Sequence, residues 1–189
     1  MISIVELWLP ILVSAVAVFF ASSIIWMILP YHKKDIRFMP SEDEFSKAID
    51  QLNIEPGLYM YPNCADPKEM KSDAFVAKWK SGPWGTITVM GSPPNFAKNL
   101  LKTFVSYLAI TAMCGYLASM SLSAGADSMM VFRFVGTAAI LGFCMGSFAG
   151  DFFLGKPARF IFTSFIDGLI FAFITAGVFC IMWPNAVIV

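Results

Sequence analysis

The chain has 189 residues, 58% of them hydrophobic and 14% charged, and a mean hydropathy of +0.70. A chain this apolar cannot hide its greasy surface inside one soluble core, which excludes an ordinary soluble domain and sets the class as integral membrane protein. Its 13 basic and 13 acidic residues cancel, so no global field points to nucleic acid or to an acidic substrate.

A bilayer core of about 30 Å takes about 20 apolar helical residues, and four stretches reach that length: 4–30, 103–123, 129–150 and 160–183. In the first, Trp8 and Trp26 stand about 27 Å apart along a helix, a spacing that suits two interfacial anchors. Its start, "MISIVELWLP", has no Lys or Arg, and the small-residue "AVA" lies inside the apolar run instead of after it. Both features predict an uncleaved anchor over a cleaved signal peptide. Glu6 falls at the outer interface, where a carboxylate needs no special role.

Where this span ends, "YHKKD" begins a basic cluster of His32, Lys33, Lys34 and Arg37. Such a cluster suits anionic lipid headgroups, and the lone His32 is expected in solvated headgroup contact in preference to a metal-ligand or catalytic-base role. After Pro40, "SEDEFSKAIDQLNI" reads as a helix opened by a capping box of Ser41 and Glu44, with Phe45, Ala48, Ile49 and Leu52 on one face. "PGLYMYP" and "WGTITVM" are short, aromatic or β-branched and bounded by Pro and Gly, which predicts two strands. The expected fold class is therefore all-α integral membrane, with four transmembrane helices and a small α+β cytoplasmic insert between helices 1 and 2. The segments are 1–30 for the first helix, 31–102 for the insert and 103–189 for a three-helix region.

Ten of the 13 basic residues lie in 31–102, and Lys156 and Arg159 join them on the same side of the four spans. The loop "SAGADS" and the tail "NAVIV" have none, leaving Arg133 near the opposite face. The positive-inside rule then puts the insert in the cytoplasm and both termini outside.

Small residues recur every four positions in the last three spans: Thr111, Gly115, Ser119 and Ser123; Gly142, Gly146 and Gly150; and Ser164, Gly168, Ala172, Ala176 and Cys180. Residues four apart share a helical face, and small ones let helix backbones approach where lipid supplies no hydrophobic drive for association. Packing of these helices on one another is expected, with docking of a larger partner as the alternative. Asp167 borders the last stripe and should face protein, neutral or satisfied by partners. Arg133 lies about 12 Å away in depth and would snorkel outward. Hydroxyls of Thr111, Ser106, Tyr107 or Thr163 are therefore the expected neighbours of Asp167.

Cys114, Cys144 and Cys180 sit in apolar runs and only Cys64 in a polar one, without CxxC or Cys/His spacing, so no disulfide framework or metal site is expected. A phosphate loop, GxSxG and HExxH are all absent from the sequence. No cofactor is expected.

Four segments, "LPYHKKDIRFMPSEDE", "PGLYMYP", "GPWGTITV" and "IDGLIFAFITAGVFCIMWP", occur in this order. In that order they resemble a family of small bacterial four-span membrane proteins. The resemblance implies a bacterial inner-membrane protein on the same plan and carries over neither an activity nor a catalytic residue.

The leading functional expectation is a non-catalytic accessory or scaffolding subunit of a larger inner-membrane complex. Its partners would be membrane lipid and other membrane-protein subunits or further copies of itself, without nucleic acid. A small proton-linked transporter using Asp167 with Arg133 is the alternative. An interfacial lipid-modifying enzyme using His32, Asp35 and Cys64 is the third.

Overall fold

A computed structural model describes residues 2–185. Four helical stretches are long and apolar enough to cross a membrane: Ile4–Met27, Phe96–Ser121, Ser128–Phe153 and Ala158–Ile181. The chain divides into two compact units, one of residues 1–36, 95–149 and 157–189 and the other of residues 37–94 and 150–156. Of the tail "NAVIV", residues 186–189 lie outside the described residues.

The first unit is built on α1 (Trp8–Met27), preceded by a 3₁₀ turn at Ile4–Leu7. Ser3 caps that turn, and Glu6 closes the capping box by accepting from the Ser3 N–H at 3.2 Å. Glu6, which the sequence leaves without a role, thus satisfies a helix-terminal donor that lipid could not. At the other end Pro30 forces Leu29 out of helical geometry, to φ −75° and ψ 136°. The chain turns there into a 3₁₀ segment, Pro30–Lys34.

Downstream come α2 (Glu42–Leu52), β1 (Gly57–Tyr61), α3 (Asp73–Ser81) and β2 (Gly85–Val89), then the long α4 (Phe96–Ser121), capped by Asn95. The third span is α5 (Ser128–Ile140), a π-helical turn at Leu141–Met145, and α6 (Phe148–Phe153). Asp127 caps α5, accepting from the N–H groups of Met129 and Met130. The last span is α7 (Ala158–Ile181).

α7 packs on α1 and α5, and α4 on α1 and α5. Leu7, Ile11, Cys114, Ala118, Val131, Val135, Ala172 and Phe179 form the main buried cluster, and Val18, Ile25 and Phe171 a second. For helices apolar enough to sit in lipid, such burial would exchange acyl contacts for protein contacts, so the gain is from close packing. The small residues permit that closeness. A Cβ on Gly115 would meet Ile11 Cδ1 at 2.8 Å, and one on Gly142 would meet Ile110 Cγ2 at 2.8 Å. Thr111, one turn before Gly115, donates to the Ile11 carbonyl at 3.2 Å. A Cβ on Gly168 would stand 2.9 Å from the Phe143 carbonyl oxygen, so there backbone meets backbone.

The stripe in the third span departs from the sequence expectation. Gly146 faces only its own helix, and nothing lies within 4 Å of where a Gly150 Cβ would be. The cause is the π turn: its extra residue rotates everything after Met145 off the face that carries Gly142.

In the second unit β1 and β2 pair antiparallel, with Leu58 opposite Thr88 and Met60 opposite Thr86. The two strands and α2 fall where the sequence predicts them. Ser41, however, has left-handed φ 54° and makes no side-chain cap, so the expected capping box at α2 does not form. Helix α3, capped by Ser72 through Phe75 N–H, stands where the sequence expectation has no element. The unit also holds the Lys156–Asp151 ion pair at 2.7 Å and a bond from the Thr86 hydroxyl to the Leu154 carbonyl at 3.3 Å.

Candidate functional site

The turn at Pro30 brings Tyr31 and His32 back onto α7. Asp167 lies nine residues into that helix, about 14 Å from its start. Its carboxylate takes two partners from this turn: His32 Nε2 lies 2.9 Å from Oδ2, and the Tyr31 hydroxyl donates to Oδ1. On the far side of the ring His32 Nδ1 lies 2.8 Å from Asp35 Oδ2. The side chains of His32, Asp35 and Asp167 are all 5% exposed or less.

Asp35 is held in turn by α7. The Thr163 hydroxyl donates to its Oδ2 at 2.7 Å, and Arg159 Nε lies 2.8 Å from Oδ1 as an ion pair. Arg159 also donates from Nη2 to the Tyr31 carbonyl at 2.8 Å, so one half-exposed guanidinium pins both the acid and the turn. Burial opposes ionisation of Asp35, but the hydrogen bonds from Thr163 and His32 and the nearby Arg159 charge outweigh it. Together they hold the carboxyl below its ordinary range. The Trp26 indole stacks on the His32 ring at 4.0 Å and 7° and fixes its plane.

Proton counting fixes what this cluster can do. A neutral imidazole has one N–H, so both carboxylate contacts of His32 are hydrogen bonds only if the ring is an imidazolium or a carboxyl carries a proton. In the imidazolium form two carboxylates face two cations, His32 and the half-exposed Arg159, and the charge of the cluster sums to zero. Both ring nitrogens are engaged, which leaves no lone pair for a substrate proton. The two carboxylates also sit on opposite sides of the ring and do not converge on one point where an ion could bind.

The cluster corrects three expectations. His32 is buried and held between two carboxylates, not solvated among headgroups, whereas Lys33, Lys34 and Arg37 are exposed. The neighbours of Asp167 are Tyr31 and His32 in place of membrane hydroxyls, and Thr163 serves Asp35. Arg133 is exposed on α5 and makes no ion pair with Asp167. The available signal was that the only histidine and an intramembrane aspartate each need a buried partner. Asp151, at the end of the third span, is a further buried acid, without a counterpart among the sequence expectations. Cys64 is a half-buried free thiol of the second unit.

Four helices long and apolar enough to cross a membrane, with Asp167 of the fourth turned inward, fit the class of multi-pass membrane proteins. Compared with protein-family models, curated proteins and solved structures, the chain gave no match.

Proposed function

We propose that this chain is a non-catalytic accessory or scaffolding subunit of a larger bacterial inner-membrane assembly, with both termini periplasmic and residues 31–102 cytoplasmic. The observation that carries this reading is the closure of the Asp35–His32–Asp167 cluster, in which each imidazole nitrogen is taken by a carboxylate of the same chain. A group so satisfied ties the end of α1 to α7 and offers nothing to a substrate. Exposed aromatic side chains of the second unit, Phe38, Trp79 and Trp84 among them, add surface suited to docking. Gentle solubilisation of the native membrane, followed by affinity isolation and identification of what co-migrates, tests the proposal. Stoichiometric membrane-protein partners support it; a chain that migrates alone with its lipid overturns it.

A proton-linked carrier is the second reading, favoured by one observation: Asp167, His32 and Asp35 make a hydrogen-bonded chain of three titratable groups from inside α7 to its cationic end. A proton-flux assay in vesicles, with Asp167→Asn as control, distinguishes it.

A further inference from the structure

Arg133 is a charged group of the third span that the buried cluster does not absorb. It sits five residues into α5, about 8 Å below the start of that helix, with an exposed side chain and no acidic partner among the described residues. Two grooves run along α5, and both are lined by Arg133 and Thr137. The groove toward α4, of about 620 Å³, continues through Phe134, Ala138 and Leu141. It leads on into a depression of about 230 Å³ that shares Leu117 and Ala138 with it and reaches Gly142. The groove toward α7, of about 160 Å³, passes Gly136, Ile140, Ala172 and Phe173.

We propose that this face binds one diacyl phospholipid of the leaflet at the N-terminal end of α5, with its phosphate on Arg133 and one acyl chain in each groove. The inference rests on membrane embedding of the four helices and needs no partner subunit. Length fits: from Arg133 to Gly142 the α4-side groove follows the helix for about 14 Å, close to the about 15 Å of hydrocarbon in one leaflet. Charge fits as well. A guanidinium in an apolar groove wants a bidentate anion, which a phosphate supplies while its chains cover the apolar walls. The head end of the α4-side groove also carries Asp127, whose carboxylate is oriented by capping α5. A carboxylate lining the same groove as the arginine attracts an ammonium, so the favoured lipid is one with an amino headgroup such as phosphatidylethanolamine. Thr137 already donates to the Arg133 carbonyl at 2.8 Å and is left to accept.

The test is native mass spectrometry of the detergent-purified full chain, titrated with phosphatidylethanolamine, phosphatidylglycerol of matched chains, and lyso-phosphatidylethanolamine. Wild type should hold one phosphatidylethanolamine per chain, and Arg133→Gln should weaken it about tenfold or more, the factor set by losing charge-assisted hydrogen bonds. Arg133→Lys should recover part of that affinity. Asp127→Asn keeps a competent cap and should move the preference toward phosphatidylglycerol. Arg133 is exposed, so an unchanged melting temperature of the Gln variant separates lost binding from lost folding. Equal retention by wild type and Arg133→Gln overturns the site, and equal affinity for the lyso lipid overturns the two-groove seat. A dimer that falls apart in Arg133→Gln makes the face a contact between copies and overturns the lipid assignment. Solubility of the chain without detergent would remove the membrane premise itself, an outcome separate from failure to find a partner complex.

Discussion

His32 Nε2 lies 2.9 Å from Asp167 Oδ2 across 135 positions of sequence, and the same imidazole reaches Asp35 only three residues on, at 2.8 Å. One ring thus joins a local acid to a distant one, so the chain leaving α1 is anchored to the middle of α7. The consequences divide by which end of that link is cut.

At the distant end, Asp167→Asn keeps the size and part of the hydrogen bonding while removing the ionisable group. If the cluster is a lock, the Asn variant should fold, assemble and support any physiological phenotype nearly as wild type does. Asp167→Leu strands Tyr31 and His32 and should cost about 1–3 kcal/mol of stability, read as a lower melting temperature in detergent. A folded, assembled but inactive Asn variant would instead favour proton transfer, which needs a titratable group.

Replacing both partners tests whether His32 and Asp167 act as one unit. His32→Phe retains stacking on Trp26 and removes the ring nitrogens. In that background Asp167→Leu should cost less than it does alone, with a coupling of about 0.5–3 kcal/mol. Strict additivity of the two losses would mean that the contact contributes nothing to stability.

The local end gives a pH dependence. The Asp35 carboxyl is held below its ordinary value of 3.8 in the folded chain. The unfolded chain therefore binds this proton first as pH falls, and the stabilisation is fully present above that ordinary value. It is lost as pH drops through the lower folded value. Thermal melts of wild type should show an acid loss of stability in that window that Asp35→Asn lacks, once other carboxylates are matched by measuring both proteins in parallel. Identical acid profiles would remove Asp35 from the account.

Glycine substitutions separate the packed part of the third span from the rotated part. Because α7 meets the third span backbone to backbone at Gly168, Gly168→Leu should destabilise by about 1–3 kcal/mol or prevent accumulation. Open space at Gly150 and Gly146 predicts changes within about 0.5 kcal/mol for Leu at either place. Accumulation and melting temperature of the three variants check this order.

The proposed orientation has its own reporter test. Fusion of a periplasmic reporter after Val189 should give activity, and insertion near Ser72 should not, because the basic residues cluster on the insert side. The reverse pattern overturns the orientation and leaves the fold untouched.

Sequence by itself determined the elements whose cause is local. Apolar runs of bilayer length give the four helices long enough to span, the periodicity of Phe45, Ala48, Ile49 and Leu52 gives α2, and short β-branched or aromatic runs between Pro and Gly give the two strands. It also marked Asp167 as a residue turned toward protein, because a lone acid in an apolar helix must find partners. Only the tertiary structure decided which partners. Depth along ideal helices pointed to groups within the spans, but Leu29 leaves the helix before Pro30, and the turn carries Tyr31 and His32 back to the level of Asp167. The π turn at Leu141–Met145 likewise moved Gly146 and Gly150 off the face that Gly142 shares. Both outcomes depend on a break in helical regularity. A repeat read along the chain extrapolates straight through such a break, whereas packing against a neighbouring helix does not.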